Sequence, residues 1–165
     1  DVDFESVRNS GIEALLIDVD NTLIPYDETL PSEKLITLFN SLQSRGFKIV
    51  IISNNHRSRI KHFSELIDCP YVASAKKPLK IGFKKALSIL SITDKSKVLV
   101  IGDQVMTDVL GSKRMGLKVH LVDAIKRNNE KWFTRLNRRF ENRMLNQIKK
   151  KNGEAYTRLN LKEKR

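Results

Sequence analysis

Four short stretches of this chain concentrate the side chains able to do chemistry. Asp18-Val19-Asp20-Asn21-Thr22 offers two carboxylates, and Ser53-Asn54-Asn55 offers a hydroxyl flanked by amides. Lys76-Lys77-Pro78 carries two ammonium groups, and Gly102-Asp103-Gln104 adds a third carboxylate, with Asp108 five residues beyond Asp103. If the fold gathers them, Asp18, Asp20, Asp103 and Asp108 repel one another, and such a cluster is costly unless a cation neutralises it. Magnesium suits these donors, because it is a hard ion that takes a few carboxylates and keeps places for water and phosphate oxygen. Lysine and Ser53 would then serve an incoming anion. The combination points to phosphoryl transfer, where a protein contributes mainly positioning and charge stabilisation.

The elements that must position these stretches follow from the apolar pattern. Ala14–Val19, Phe47–Ile52, Tyr71–Ala73, Val98–Ile101 and Val119–Val122 are short runs rich in Val, Ile and Leu, and they read as strands. Between them, Lys34–Arg45, Arg57–Ile67, Leu79–Leu90 and Val105–Met115 carry apolar residues at helical spacing. Pro31-Ser32-Glu33 opens the first of these helices, and Gly46 and Gly116 stop the first and last. Strands alternating with helices of this length imply parallel crossovers with helices on both faces, a three-layer α/β fold with a mainly parallel sheet. In such sheets ligands bind beyond the carboxyl ends of the strands. The four polar stretches lie just there.

The 165 residues suggest one domain. With 40% hydrophobic residues the chain can bury a core, and with only 7 Gly and 4 Pro it is neither collagen-like nor low-complexity. The single cysteine, Cys69, cannot form an internal disulfide, so a reducing compartment fits best. It reads as a small packing residue. His56, His62 and His120 are not spaced as a metal set and read as surface or edge residues. No apolar run approaches the roughly 20 residues that cross a bilayer. No secretory signal pattern is present either.

The four stretches, DVDNTL at 18–23, SNN at 53–55, KKP at 76–78 and GDQVMTD at 102–108, resemble the ordered motifs of the haloacid dehalogenase (HAD) phosphatase superfamily. Singly, each has a plain structural reading: an Asx turn, a helix cap, a solvated lysine. In order, each after its own strand, they reinforce one another. The resemblance implies a Rossmann-like fold and a Mg²⁺-dependent phosphomonoesterase. By it Asp18 is the nucleophile and forms an aspartyl-phosphate. Asp20 protonates the leaving oxygen and then deprotonates the attacking water. Ser53 and the backbone near Asn54 hold phosphate oxygens, and Lys77 offsets the charge of phosphate and nucleophile. Asp103, with Asp108, joins Asp18 and the Asp20 carbonyl around the metal, and Thr22 braces the first loop. Lys76 is the weaker candidate, because Lys77 adjoins Pro78 as the family pattern requires.

Only 30 residues separate Thr22 from Ser53, and 23 separate Ser53 from Lys77. The sheet's own helices and strands fill both intervals, so no cap domain fits. An open site favours a large or surface-bound substrate: a lipid headgroup, a nucleic acid end or a phosphoprotein. The same motifs with TRLNRRFE at 134–141 are similar to the YqeG-type branch of HAD subfamily IIIA, which is related to mitochondrial phosphatidylglycerophosphate phosphatases. That resemblance implies conversion of phosphatidylglycerophosphate to phosphatidylglycerol, within phospholipid biosynthesis.

Charge divides the chain at about residue 125. Residues 126–165 hold 14 Lys/Arg against four Glu, while residues 1–125 carry 17 basic against 15 acidic residues. We therefore expect a capless core over 1–125 and a basic C-terminal helical extension over 126–165, frayed at its end. Trp132, Phe133, Leu136, Phe140, Met144, Leu145 and Ile148 recur at helical spacing with Arg135, Arg138, Arg139 and Arg143 among them. This stripe can pack on the sheet, or it can lie in an anionic membrane interface with its basic edge towards lipid. The same charge could contact RNA, as on a ribosome, although no RNA-binding motif is recognisable. The expected location is cytoplasmic, with peripheral contact at the inner membrane face open.

Overall fold

The structure, a computed structural model, describes residues 2–126. Its centre is a five-stranded sheet, all parallel, in the order β3-β2-β1-β4-β5. The strands are β1 (Ala14–Ile17), β2 (Lys48–Ile52), β3 (Tyr71–Val72), β4 (Val98–Gly102) and β5 (Lys118–Leu121). The helices are α1 (Phe4–Asn9), α2 (Glu33–Ser44), α3 (Arg57–Leu66), α4 (Lys80–Leu90) and α5 (Leu110–Met115). The expected α/β architecture with a parallel sheet is the one observed.

Apart from the exposed Lys48 at the start of β2, the three central strands are apolar, because both of their faces are covered. Alternate side chains go to opposite layers. Leu15, Ile17, Ile49, Ile51, Leu99 and Ile101 pack with Phe39 and Leu42 of α2 and Ile60 and Phe63 of α3. Ala14, Leu16, Val50, Ile52, Val98 and Val100 pack with Phe83, Ala86 and Leu87 of α4 and Met115 of α5. Fully burying side chains such as Phe39, Phe63 and Phe83 stabilises the fold by about 1.5–3 kcal/mol each.

The chain order explains why a cleft forms at β1. It runs β1, β2, β3 outward on one side, then crosses over by α4 to β4 and β5 on the other. The direction of winding reverses between β1 and β4, and loops leaving their carboxyl ends diverge there. Among the described residues, only a loop and α2 connect β1 to β2, and only α3 connects β2 to β3. No additional domain stands over the site in either interval.

Two local readings differ from the sequence expectation. The predicted single helix over Val105–Met115 is two pieces: a wide π-type turn at Val105–Val109 and then α5. In that turn the Val109 amide reaches back five residues to the Gln104 carbonyl (3.3 Å). Such wide turns are common at functional sites, and this one contains Asp108. The second difference is α1, which the sequence reading did not assign. Asp3 caps it, accepting from the Glu5 and Ser6 amides. It has no fully buried residue, and Phe4 packs edge-on against Phe47. Residues 127–165 lie outside the described residues, and with them the expected basic helix.

Candidate active site

Strand register sets the site. Ile17 pairs with Ile51 on one side and Ile101 on the other. Asp18, Ser53 and Asp103 therefore all emerge within two residues of one sheet edge. Each is buried, at 4%, 0% and 3% exposure. The Asp18 amide still donates to the Ile101 carbonyl (2.9 Å), so its backbone is fixed as firmly as that of the strand.

Beyond Asp18 the chain coils tightly. The amides of Thr22, Leu23 and Ile24 all donate to the Val19 carbonyl, and Asn21 takes a left-handed φ of 61°. Asparagine tolerates that region better than most residues. Ile24 drops into the core, and the Thr22 hydroxyl donates to Oδ1 of Asp103 at 3.3 Å. Thr22 thus braces the first loop against the fourth.

Lys77 stands at the centre. Its Nζ lies 2.8 Å from Oδ1 of Asp18 and 2.7 Å from Oδ1 of Asp108. Lys77 and Asp108 are buried, at 5% and 0% exposure. Lys76, by contrast, is exposed, so of the two lysines only Lys77 lies against the carboxylates. Asn54 clasps the lysine loop: its Nδ2 donates to the Lys77 carbonyl (3.0 Å) and its Oδ1 accepts from the Lys77 amide (2.6 Å). The Asn54 side chain is therefore committed to the backbone of Lys77. The Ser53 hydroxyl accepts from the Asn55 amide (3.0 Å) and faces Oδ2 of Asp20 (3.4 Å).

Asp108 reaches Lys77 because Gly102 leaves room. A Cβ on Gly102 would lie 2.4 Å from Cγ of Asp108. The other Asp108 oxygen accepts from the Gln104 amide (3.2 Å) and the Thr107 hydroxyl (3.3 Å).

Ligand atoms of Asp18, Asp103 and Asp108 all lie within 4.8 Å of one another. One ammonium cannot balance three buried carboxylates. Burial drives the Asp18 carboxyl well above the usual carboxylate range; Lys77 opposes this, while Asp108 and Asp103 add to it. Burial acts to lower the Lys77 pKa, but Asp108 and Asp18 outweigh it and hold the ammonium above the ordinary lysine value. A hard divalent cation fits such an all-oxygen, excess-negative cluster.

The carboxylate of Asp20 does not belong to that cluster. Its Oδ1 accepts from Nε (3.0 Å) and Nη2 (2.8 Å) of Arg59, a residue the sequence reading did not single out. Arg59 lies 39 positions from Asp20, and no local pattern signals the pair. Cys69 is buried beside Gln43, and burial first, then Asp68, pushes its thiol up to about 12. That suits the packing role expected of it. His56, His62 and His120 are exposed.

The acidic cluster with its lysine suits charge stabilisation at a phosphoryl group, and comparison with known proteins gives the class. The family model described as haloacid dehalogenase-like hydrolase matches residues 3–116, and the chain belongs to that family. The Bacillus subtilis (strain 168) protein named Probable phosphatase YqeG is 35% identical over 147 residues, spanning 89% of this chain and 84% of that protein. The glyceraldehyde 3-phosphate phosphatase of Pyrococcus abyssi (strain GE5 / Orsay) is 27% identical over 116 residues, 65% of this chain and 48% of that one. The crystal structure of a haloacid dehalogenase-like hydrolase from Brucella suis 1330 shares the fold, with a TM-score of 0.53 at 12% identity, over 72% of this chain and 90% of that chain. The protein is an enzyme, a phosphatase of the haloacid dehalogenase type. Among the described residues, no helix is long and apolar enough to cross a membrane.

Proposed function

We propose that the protein hydrolyses phosphate monoesters through an aspartyl-phosphate on Asp18, and that its substrate is phosphatidylglycerophosphate. The observation that carries the reaction is the buried Asp18–Lys77–Asp108 ion cluster at the carboxyl edge of the sheet. Oδ of Asp18 attacks phosphorus, the ester P–O bond breaks, and Asp20 gives the departing oxygen a proton. Asp20, now ionised, takes a proton from water as that water attacks the phosphoenzyme; Asp18 is released and inorganic phosphate leaves. Ser53, the backbone at Asn54 and the Lys77 ammonium hold the phosphoryl oxygens. Thr22 keeps Asp103 in place. Asp18, Asp103 and the Asp20 carbonyl would hold a divalent cation, magnesium in our reading, which supplies charge neutralisation to nucleophile and phosphate. Asp108, engaged by Lys77, Gln104 and Thr107, anchors the lysine and completes the carboxylate group around the cation.

The lipid reading draws on the resemblance to the subfamily IIIA branch and on the absence of a covering domain over the described site. The basic residues 126–165 would favour an anionic surface, and the protein would then work in the cytoplasm at the inner membrane face. The same basic residues favour a second reading, action on RNA or a ribosome-bound partner.

A phosphate-release panel decides between them: phosphatidylglycerophosphate in vesicles, nucleic acid ends, phosphopeptides and sugar phosphates, with Asp18→Asn as background. We expect the lipid to rank first, turnover to vanish in EDTA, and Asp18→Asn to be inactive on every substrate while its circular dichroism stays native. Full activity in Asp18→Asn ends the nucleophile assignment, and a ranking headed by soluble sugars ends the lipid reading.

A further inference from the structure

Arg59 has no part in the roles above, yet it makes a dense set of contacts beside the site. Its guanidinium holds Oδ1 of Asp20 with two N–H groups, at 3.0 and 2.8 Å. Nη2 also donates to the carbonyls of Tyr26 (2.8 Å) and Glu28 (2.7 Å), and the group stacks over the Tyr26 ring at 5.2 Å. Arg59 comes from the first turn of α3, on the connection from β2, while Asp20, Tyr26 and Glu28 belong to the loop after β1. One side chain therefore ties two loops of the site together. It also makes the two oxygens of Asp20 unequal. Oδ1 is pinned by the guanidinium, whereas Oδ2 meets only longer bonds from the Ser53 hydroxyl (3.4 Å) and Asn55 Nδ2 (3.2 Å).

We propose that Arg59 is a positioning residue: by pinning Oδ1 and the 26–28 backbone, it aims Oδ2 of Asp20 at the Ser53 side, where the reading above places the substrate's phosphoryl group. The inference rests on the acid–base role of Asp20 proposed above. Arginine suits the task, because its planar fork fixes a carboxylate's orientation as well as its charge. Oδ2 is then the oxygen that gives the proton to the leaving group and takes one from water.

The test uses the full chain with Mg²⁺ and three monoesters of decreasing leaving-group ability: p-nitrophenyl phosphate, phenyl phosphate and an alkyl phosphate. The readout is kcat/KM, which covers the steps up to departure of the leaving group. A poor leaving group needs the proton and a good one does not. Arg59→Ala should cut kcat/KM for the alkyl ester about tenfold more than for the p-nitrophenyl ester, part of the roughly 10²–10⁴-fold that acid–base help supplies. Arg59→Lys should narrow that gap. The comparison is a ratio within one preparation, so a partly unfolded variant does not disturb it. Equal losses on all three esters in Arg59→Ala, with Asp20→Asn still selective against the alkyl ester, overturn the positioning role alone. Equal losses in Asp20→Asn overturn the acid role, and the inference with it.

Discussion

Replacing Lys77 with methionine keeps most of the side chain's bulk and removes the charge lying 2.8 Å from Asp18 and 2.7 Å from Asp108. Both carboxylates are buried, so neither can recover the lost interaction from water. Removing one partner of a buried ionic cluster costs about 3–5 kcal/mol. For a chain of this size each kcal/mol moves the melting temperature by about 2–4 °C, which gives a drop of about 6–20 °C. The pH dependence follows from the signs. Lys77 has a raised pKa, so its contribution is fully present below the unfolded lysine value and does not vary between pH 5 and 9. Asp18 also has a raised pKa, which means that the folded state prefers its protonated form, and stability falls as pH rises from the unfolded value through the folded one. Taking Lys77 away raises that folded value further. The deficit of Lys77→Met should thus be small near pH 4–5 and grow towards neutrality, and magnesium should recover part of it. Differential scanning fluorimetry across pH 4–8, in EDTA and in Mg²⁺, measures all three. A melting temperature unchanged at pH 7 in EDTA, or a deficit that is flat with pH, would refute the view that Lys77 neutralises a crowded anionic site.

Two further substitutions test the supports of that lysine. Gly102→Ala places a Cβ against the Asp108 carboxyl; it should cost about 1–3 kcal/mol and lower kcat, as seen in urea titration and phosphate release. Asn54→Ala removes both bonds of the clasp on Lys77, so that it should lose about 1–3 kcal/mol and bind inorganic phosphate more weakly as a competitive inhibitor, with Asn54→Asp as a partial replacement for the lost acceptor.

The site loops were legible because each signal is local. A short run such as Ala14–Ile17 followed by Asp18 marks both a buried strand and the place where it stops being buried in apolar surroundings. Relative position was legible too, since parallel crossovers leave few arrangements that bring such loops together. What escaped was of two kinds. The Arg59–Asp20 pair depends on contacts between distant segments, and an arginine in a helix's first turn reads in sequence as a solvated one. The π-type turn at Val105–Val109 escaped because its residues have ordinary helical spacing; within it Asp108 bonds Lys77 and the Gln104 amide, contacts that no local pattern signals. The short α1 had signals, the Asp3 cap and Phe4 and Val7 three residues apart, but six residues are too few to establish a period.

The pairing of Ile17 with both Ile51 and Ile101 sets unequal tolerances at the two ends of the sheet. A one-residue insertion within β1 would turn the side chain of Asp18 to the opposite layer, away from Lys77. The turn that feeds β4 from behind, exposed at Thr93 and Asp94, is under no such constraint. Length variation, affinity handles and labels therefore belong at that rear edge, where the molecule can be lengthened without retuning its chemistry.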